Sequence, residues 1–426
     1  MTDPSHPVAP ASPAAEALAT WLSRIEAMHP ADIELGLGRL LEVAARLQVA
    51  SLAMPVITVA GTNGKGSTLR LMTALAEQLG LKVCLYTSPH ILHFNERVRL
   101  PDGLASDAQL CAAFDQVELA RQGHGDEPPV PLTYFEFTTL AALWLFRDSG
   151  ADLVLLEVGL GGRLDAVNIV DPDVSVVTSV GLDHQDWLGD TREAICAEKC
   201  GIARCGTPLV FGEQDWPANL TDCVAQYGAE GVLAGRDFGP HEGLLRLCDG
   251  QRIPLPTEVT LGRDNLCTAV QAMTLAGFSL QAHQIAAVAG VTLMGRCEYR
   301  RIQGADCWFD VGHNLPAVQR FHDLLADCPG RRHLVFGMMA DKPREAVAGV
   351  FAEDARAIWY LAAPAIARSA STAALRAVLP ADAVAAEYAC VADAVHAALS
   401  AAIPGDQVVV FGSFHTVAEA WQAVEE

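Results

Sequence analysis

Positive charge is what this chain has least of. Lys and Arg number 29 against 51 Asp and Glu, a formal net charge of −22 over 426 residues. That balance excludes a general nucleic-acid or anionic-membrane binder, which needs a basic face to displace counterions. Charged residues of both signs make up only 19% and hydrophobic ones 51%, the composition of a large core and not of a disordered chain. Gly (35) and Pro (23) are too few and too aperiodic for a collagen-like or low-complexity protein. No apolar stretch approaches the ~18 residues of a membrane span. The opening MTDPSHPVAPASPAAEALATW has no basic segment ahead of an apolar run, so it does not read as a signal peptide. The 12 cysteines are scattered, which points to reduced thiols in a cytoplasm. Cys196, Cys200 and Cys205 come nearest to a cluster in sequence; their spacing matches no zinc pattern, and packing is the expected role.

What is present is an alternation of strands and helices, over a length that suits two or three domains of roughly 100–200 residues. Short apolar runs at 55–60, 82–86, 152–158, 174–180 and 208–211 each end in glycine or polar residues. Continuous apolar strands between helices are what a parallel sheet covered on both faces requires. Such sheets bind ligands beyond the carboxyl ends of their strands, here at Gly61, Ser88, Glu157 and the turn 181–184. Helical stretches at 265–278 and 281–291 lead to a second α/β segment, with strands expected at 307–311, 333–336, 357–361 and 407–411 and helices at 371–378 and 391–402. The expected class is α/β: a P-loop N-terminal domain (1–296) with a mainly parallel sheet, and a smaller Rossmann-like C-terminal domain (297–426), hinged at 294–299.

The strongest chemical signal is GTNGKGS, residues 61–67, set between a strand and a helix. Glycines let main-chain N–H groups approach phosphate, and the helix N-terminus adds positive potential. Lys65 supplies a point charge for the terminal phosphates, although Gly66 separates it from Ser67, unlike the common P-loop spacing. Glu157, at the end of LVLLEV, is placed to hold Mg²⁺ or simply to cap a turn. Ser88 in TSPH and His184 in GLDHQDWLG lie at the same edge. Asp190 and Glu193 have capping-box spacing for a helix running to Cys200 and stopping at Gly201. Lys199 in its last turn reads, by itself, as a complement to the helix dipole. Farther on, Asp310 suits a ribose, His313 an anionic substrate, and Arg296 a nucleotide bound across the hinge. Lys65, Arg163 and Arg296 are the cations expected to offset the acidity of the chain around a bound triphosphate.

Taken together, the blocks IELGLGRL, VAGTNGKGST, YTSPHILHFNERVRL, LTYFEFTTLAALWLF, LLEVGLGGRLDAVNIV, TSVGLDHQDWLG, EKCGI, GRDN, FDVGHN and VVVFGSFHTVAE resemble the folylpolyglutamate synthase family, in particular its bifunctional dihydrofolate synthase branch. They run in family order over nearly the whole chain, and the family is related to the muramyl-peptide ligases. The resemblance implies phosphate contacts from Asn63, Gly64, Lys65, Gly66 and Ser67, and Mg²⁺ ligation by Ser88, Glu157 and His184. It implies a carbamylated Lys199 helping to hold a second ion, and nucleotide contacts from Asn265, Arg296 and Asp310. A pterin site is implied at Ile33, Glu34 and Leu35, at Thr133 to Glu136 with Phe135 as stacking aromatic, and at Leu164, Asp165 and Ala166. His313 and Ser413 match positions facing the incoming glutamate or the nucleotide. Two residues depart from the family pattern, Glu34 in place of Asp and Cys200 in place of Ala.

The implied reaction is ATP-dependent amide formation: a carboxylate of dihydropteroate or of a reduced folate is phosphorylated by ATP, and the acyl phosphate is attacked by the amine of L-glutamate. Positioning and charge neutralisation dominate such transfers. Lys65, Lys199, Asp310 and His313 are the catalytic candidates, the last two as possible bases. A monovalent cation is a further expected cofactor, and the chain is expected to be a monomeric cytoplasmic enzyme. A folylpolyglutamate synthase without the second activity and a muramyl-peptide-type ligase are the alternatives. A hydrolytic P-loop switch is disfavoured by the lack of an NKxD motif.

Overall fold

The computed structural model describes residues 13–29, 34–122, 128–325, 327–380 and 383–425. Ile33 lies outside them.

Eight strands form the first sheet: β1 (Val56–Ala60), β2 (Val83–Tyr86), β3 (Val98–Leu100), β4 (Gly103–Leu104), β5 (Leu153–Glu157), β6 (Val174–Val177), β7 (Pro208–Phe211) and β8 (Glu230–Leu233). Their order is β4-β3-β2-β5-β1-β6-β7-β8. All neighbours run parallel except the β2–β3 and β3–β4 pairs at one edge. The central strand β1 is buried at all five residues. Val56 and Ala60 face one apolar cluster, under the helices Gly38–Leu47, Asp107–Arg121 and Tyr134–Arg147. Ile57 and Val59 face another, under Lys65–Gln78 and Arg263–Leu275. Two-sided burial explains why these strands read as unbroken apolar runs.

A three-stranded antiparallel sheet follows, from β9 (Gly239–His241), β10 (Leu244–Arg246) and β11 (Arg252–Pro254). The last six strands are β12 (Glu298–Ile302), β13 (Ala305–Asp310), β14 (Arg332–Phe336), β15 (Ala357–Ala362), β16 (Val384–Tyr388) and β17 (Gln407–Phe411). They pair in the order β12-β13-β17-β14-β15-β16, parallel except for the β12–β13 hairpin. Along β17, Val408 and Val410 enter one core and Val409 and Phe411 the other. Among the described residues no helix is long and apolar enough to cross a membrane.

Three local expectations are corrected. Strand β6 stops at Val177, and residues 178–181 turn aside to carry the phosphate loop. The helix Arg192–Cys200 is capped by Thr191, whose hydroxyl accepts from Ala194 N–H, and not by Asp190. Arg163 pairs with Glu198 at 2.8 Å on the half-exposed surface and does not line the cleft.

The two sheets are joined through a pinned linker. Val311 N–H donates to Gly295 O at 2.9 Å, and Cys297 N–H donates to Asp310 Oδ2 at 2.7 Å. Cys297 takes a left-handed conformation, φ 45°.

Candidate active site

A single cleft opens where the carboxyl ends of β1, β2, β5 and β6 meet the ends of β13 and β17. Residues 61–67 form its floor. The loop conformation depends on its glycines: a Cβ at Gly61 (φ +154°) would lie 1.9 Å from Thr178 Oγ1, and one at Gly64 (φ +87°) 2.7 Å from Asn265 Oδ1. The turn after β6 holds the loop from below. Thr62 N–H donates to Ser179 O (2.9 Å), Asn63 N–H donates to Ser179 Oγ (3.0 Å), and Thr178 Oγ1 donates to Asn63 O (2.7 Å). The helix Lys65–Gln78 begins at once, so its unpaired N–H groups aim at whatever the loop encloses. Lys65 Nζ rests on Gly61 O at 3.0 Å, and burial draws its pKa down.

Three further groups line the same cleft. Glu157 ends β5 and is only 4% exposed. Both of its hydrogen bonds, from Thr87 Oγ1 and from Ser88 N–H, land on Oε2. Ser88 lies beside it after β2, and His184 stands across from it in a left-handed conformation, φ 52°. Desolvation in the cleft draws the pKa of the His184 imidazole down to about 4, although the residue as a whole is exposed, and a neutral ring keeps a nitrogen lone pair. Lys199 is brought to this group by the last turn of its helix. Its ammonium is buried and its pKa falls to about 7, through desolvation first and then repulsion by Lys65.

The C-terminal sheet contributes the opposite wall. Arg296 is half-buried with its guanidinium 4.8 Å from the Phe414 ring centre, and desolvation in the cleft lowers its pKa. Asp310 accepts from Cys297 N–H and from Gly312 N–H, both at 2.7 Å, so its carboxylate also fastens the linker. His313 Nδ1 is 3.0 Å from Val311 O. Asn265 completes the wall beside Gly64, held through its Nδ2 on Leu261 O at 2.6 Å.

One group the sequence reading passed over is Asp183. Its carboxylate reaches Lys342 Nζ (2.6 Å), His313 Nε2 (3.4 Å) and Asn314 Nδ2 (3.3 Å). Asn314 in turn exchanges side-chain hydrogen bonds with Asn63 of the phosphate loop at 3.1 Å. These cationic and donor partners outweigh burial and hold the Asp183 carboxyl well below the usual range. In sequence Asp183 is one polar residue of GLDHQDWLG, and Asn314 is the cap of the helix Leu315–Leu324. No local pattern marks a pair that meets only in three dimensions.

The pterin candidates form a second group outside the main cleft lining. Thr133 caps the helix Tyr134–Arg147 in a box with Glu136. Arg39 then ties Glu136 (3.0 Å) to Glu34, whose other oxygen meets His29 at 3.1 Å. Leu35 lies on the same entry segment, before the helix Gly38–Leu47. Phe135 lies over Gly159, where a Cβ would be 2.7 Å from Cζ of the ring. Asp165, between Leu164 and Ala166, accepts from Leu160 N–H (2.8 Å) and Val167 N–H (3.1 Å), and burial lifts its pKa to about 6. Ser413 does not reach the cleft. Its hydroxyl is 2.7 Å from Thr416 Oγ1 and accepts from Thr416 N–H, while its neighbour Phe414 faces the site.

Two family models match: the Mur ligase middle domain over residues 59–208 and the Mur ligase glutamate ligase domain over residues 295–414. A P-loop sheet facing a second α/β sheet across a nucleotide-sized cleft, with these matches, defines an ATP-dependent ligase of the Mur type. The chain is 39% identical over 423 residues to the dihydrofolate synthase/folylpolyglutamate synthase of Escherichia coli, covering 97% of this chain and 96% of that one. It is 36% identical to the Haemophilus influenzae protein of the same name, covering 96% and 98%. This chain belongs to the dihydrofolate synthase/folylpolyglutamate synthase family. Among solved structures, E. coli FolC in complex with DHPP and ADP superposes with a TM-score of 0.87 at 38% identity, covering 97% of this chain and 99% of that one. A bifunctional folylpolyglutamate synthase/dihydrofolate synthase with Mn, AMPPNP and L-glutamate bound gives 0.87 at 38%, covering 96% and 98%.

Proposed function

We propose that this enzyme joins L-glutamate to 7,8-dihydropteroate, forming dihydrofolate, and to the terminal glutamate of reduced folates, forming polyglutamates, with ATP converted to ADP and phosphate. The observation that supports this best is the convergence of a phosphate loop, a buried carboxylate and a neutral imidazole on one face, with Arg296 and Asp310 opposite. Residues 1–296 form the ATP- and pterin-binding unit and residues 297–426 the unit that closes over nucleotide and glutamate.

The cleft suits a hard divalent cation. Glu157 spends only one of its oxygens on protein donors, and Ser88 and His184 supply an oxygen and an uncharged nitrogen nearby. Mg²⁺ held by these three residues would screen the phosphate charges. Asn63, Gly64, Gly66 and Ser67 orient the triphosphate through main-chain amides, and Lys65 holds its terminal oxygens. Asn265, Arg296 and Asp310 fix the nucleoside. Phe135, Glu34, Leu35, Thr133, Leu164, Asp165 and Ala166 hold the pterin end, so that the far carboxylate reaches the γ-phosphate. Lys199, kept as a free amine, adds CO₂ and loses a proton to become a carbamate, an anion suited to a second divalent ion. Asp310 and His313 are the candidate bases for the incoming amine, with the Asp183 carboxylate 3.4 Å from His313 Nε2. A monovalent cation and a cytoplasmic monomer complete the reading.

Lys65→Ala incubated with ATP, Mg²⁺, glutamate and either dihydropteroate or tetrahydrofolate is expected to form neither product by mass, with an unchanged far-UV spectrum. Normal turnover in that variant removes the proposal. Wild-type product from tetrahydrofolate alone would reduce it to a polyglutamate synthase.

A further inference from the structure

A second cluster of chemically competent side chains lies behind the cleft, partly on the helix that carries Lys199, and supplies no group to the cleft lining. Cys196 and Cys200 sit one turn apart on the helix Arg192–Cys200, and Cys223 faces them from the helix Leu220–Tyr227. Their three sulfurs all lie within 4.8 Å of one another, and Cys196 Sγ and Cys200 Sγ are 3.9 Å apart. Cys205, the third member that sequence spacing suggested, is exposed and outside this group. The three residues are 0%, 0% and 4% exposed, inside an apolar cluster with Ile195, Ile202 and Leu220. All are free thiols.

Hydrophobic packing explains buried cysteines one at a time. It does not explain why three converge from two helices at this separation. A metal ion bonded to sulfur at about 2.3 Å holds its ligands roughly 3.8–4.0 Å apart, the spacing of the Cys196–Cys200 pair. We propose that Cys196, Cys200 and Cys223 form a binding site for a soft, thiophilic d¹⁰ cation, with Cu(I) as the ion it fits best. The donor type suits either Cu(I) or Zn²⁺, and the coordination number selects Cu(I). Sulfur is the only donor type in the group, since among the described residues no His, Asp or Glu joins it. Structural zinc takes four ligands, and apolar walls offer no polar partner for a water in the fourth position. Three sulfurs without a fourth donor suit trigonal Cu(I).

The binding step balances as an exchange of protons for metal. Three thiols and one Cu⁺ give a Cu(I) centre with two thiolates and one thiol, and two protons leave to solvent. No electron moves. Occupancy would staple the helix that carries Lys199 to its neighbour Leu220–Tyr227, so the site lies in mechanical contact with the ligase cleft without contributing a group to it.

The test uses the full, reduced chain under anaerobic conditions, titrated with Cu(I) against the chromogenic chelator bathocuproine disulfonate. One Cu(I) per chain is expected to stay with the protein, X-ray absorption is expected to show sulfur-only coordination by three atoms, and the melting temperature is expected to rise. Cys223→Ala and Cys196→Ser are each expected to weaken retention at least 100-fold, and Cys205→Ser to leave it unchanged. Zn²⁺ in place of Cu(I) is expected to bind at least 100-fold more weakly. If either variant is destabilised, the X-ray absorption of the wild type still decides. The proposal is overturned if wild-type protein yields its Cu(I) to the chelator as readily as Cys223→Ala, if nitrogen or oxygen dominates the coordination, or if Cys205→Ser alone removes binding.

Discussion

Replacing Lys199 by Met separates what a buried lysine does for stability from what it does for catalysis. Desolvation and the neighbouring Lys65 bring its pKa from 10.5 to about 7, and only 4% of the residue is exposed. A lysine with a depressed folded-state pKa costs stability while it is charged, and stability recovers with rising pH wherever the unfolded chain holds more protons. Below pH 7 both states carry the proton and the penalty is complete, on the order of 3–5 kcal/mol. Between pH 7 and 10.5 the folded amine is already neutral while the unfolded one is still charged. Wild-type stability therefore rises through that window, by up to ~1.4 kcal/mol per pH unit, and the penalty is gone above it. Methionine has nearly the same length and no charge, so Lys199→Met is expected to be more stable than wild type by ~2–4 kcal/mol at pH 6.5. The two should converge toward pH 10. The assay is urea unfolding of both proteins in CO₂-free buffer with a chelator, from pH 6 to 9.5, alongside the ligase assay at saturating bicarbonate. The variant should gain stability and lose at least 100-fold in kcat. A variant less stable than wild type at pH 6.5, or a stability difference flat with pH, would refute the reasoning about desolvation.

Three other outcomes follow from particular contacts. Gly61→Ala places a Cβ 1.9 Å from Thr178 Oγ1; a cost of about 1–3 kcal/mol is expected, with loss of nucleotide binding by calorimetry. Lys342→Ala leaves the Asp183 carboxylate without its nearest cation (2.6 Å), and kcat/KM should fall roughly 30-fold, about 2 kcal/mol. Lys342→Arg should restore part of it; equal activity in all three proteins would show that the pair does not matter. Phe135→Ala removes the ring over Gly159, and a loss of about 0.5–1.5 kcal/mol of stacking should raise KM for dihydropteroate 3- to 10-fold while KM for ATP stays put.

The strands of both sheets were legible because two-sided burial makes each one a continuous apolar run, β1 and β17 above all. Strands β3, β4, β8, β12 and β16, at or next to the sheet edges, were not, since segments such as Glu230–Leu233 and Val384–Tyr388 mix exposed and half-buried residues. The small sheet β9–β11 consists of three-residue strands, shorter than any periodicity can register. At the cleft, Lys65, Glu157 and His184 were visible because each follows a strand at the ligand-binding edge. The carbamate reading of Lys199 came only through family resemblance, and its burial came only with the fold. Asp183 with Lys342, and Cys223 with Cys196 and Cys200, escaped for one reason: each is a meeting of segments far apart in the chain, and composition says nothing about which solitary polar residues will find each other.

The stitched linker has a kinematic consequence. Because Asp310 fastens Cys297 while Val311 fastens Gly295, any swing of one sheet against the other turns about the very spot where Arg296 and Asp310 stand. Points on an axle travel little, and points on the rim travel far. A nucleotide gripped there would ride through opening and shutting almost unmoved.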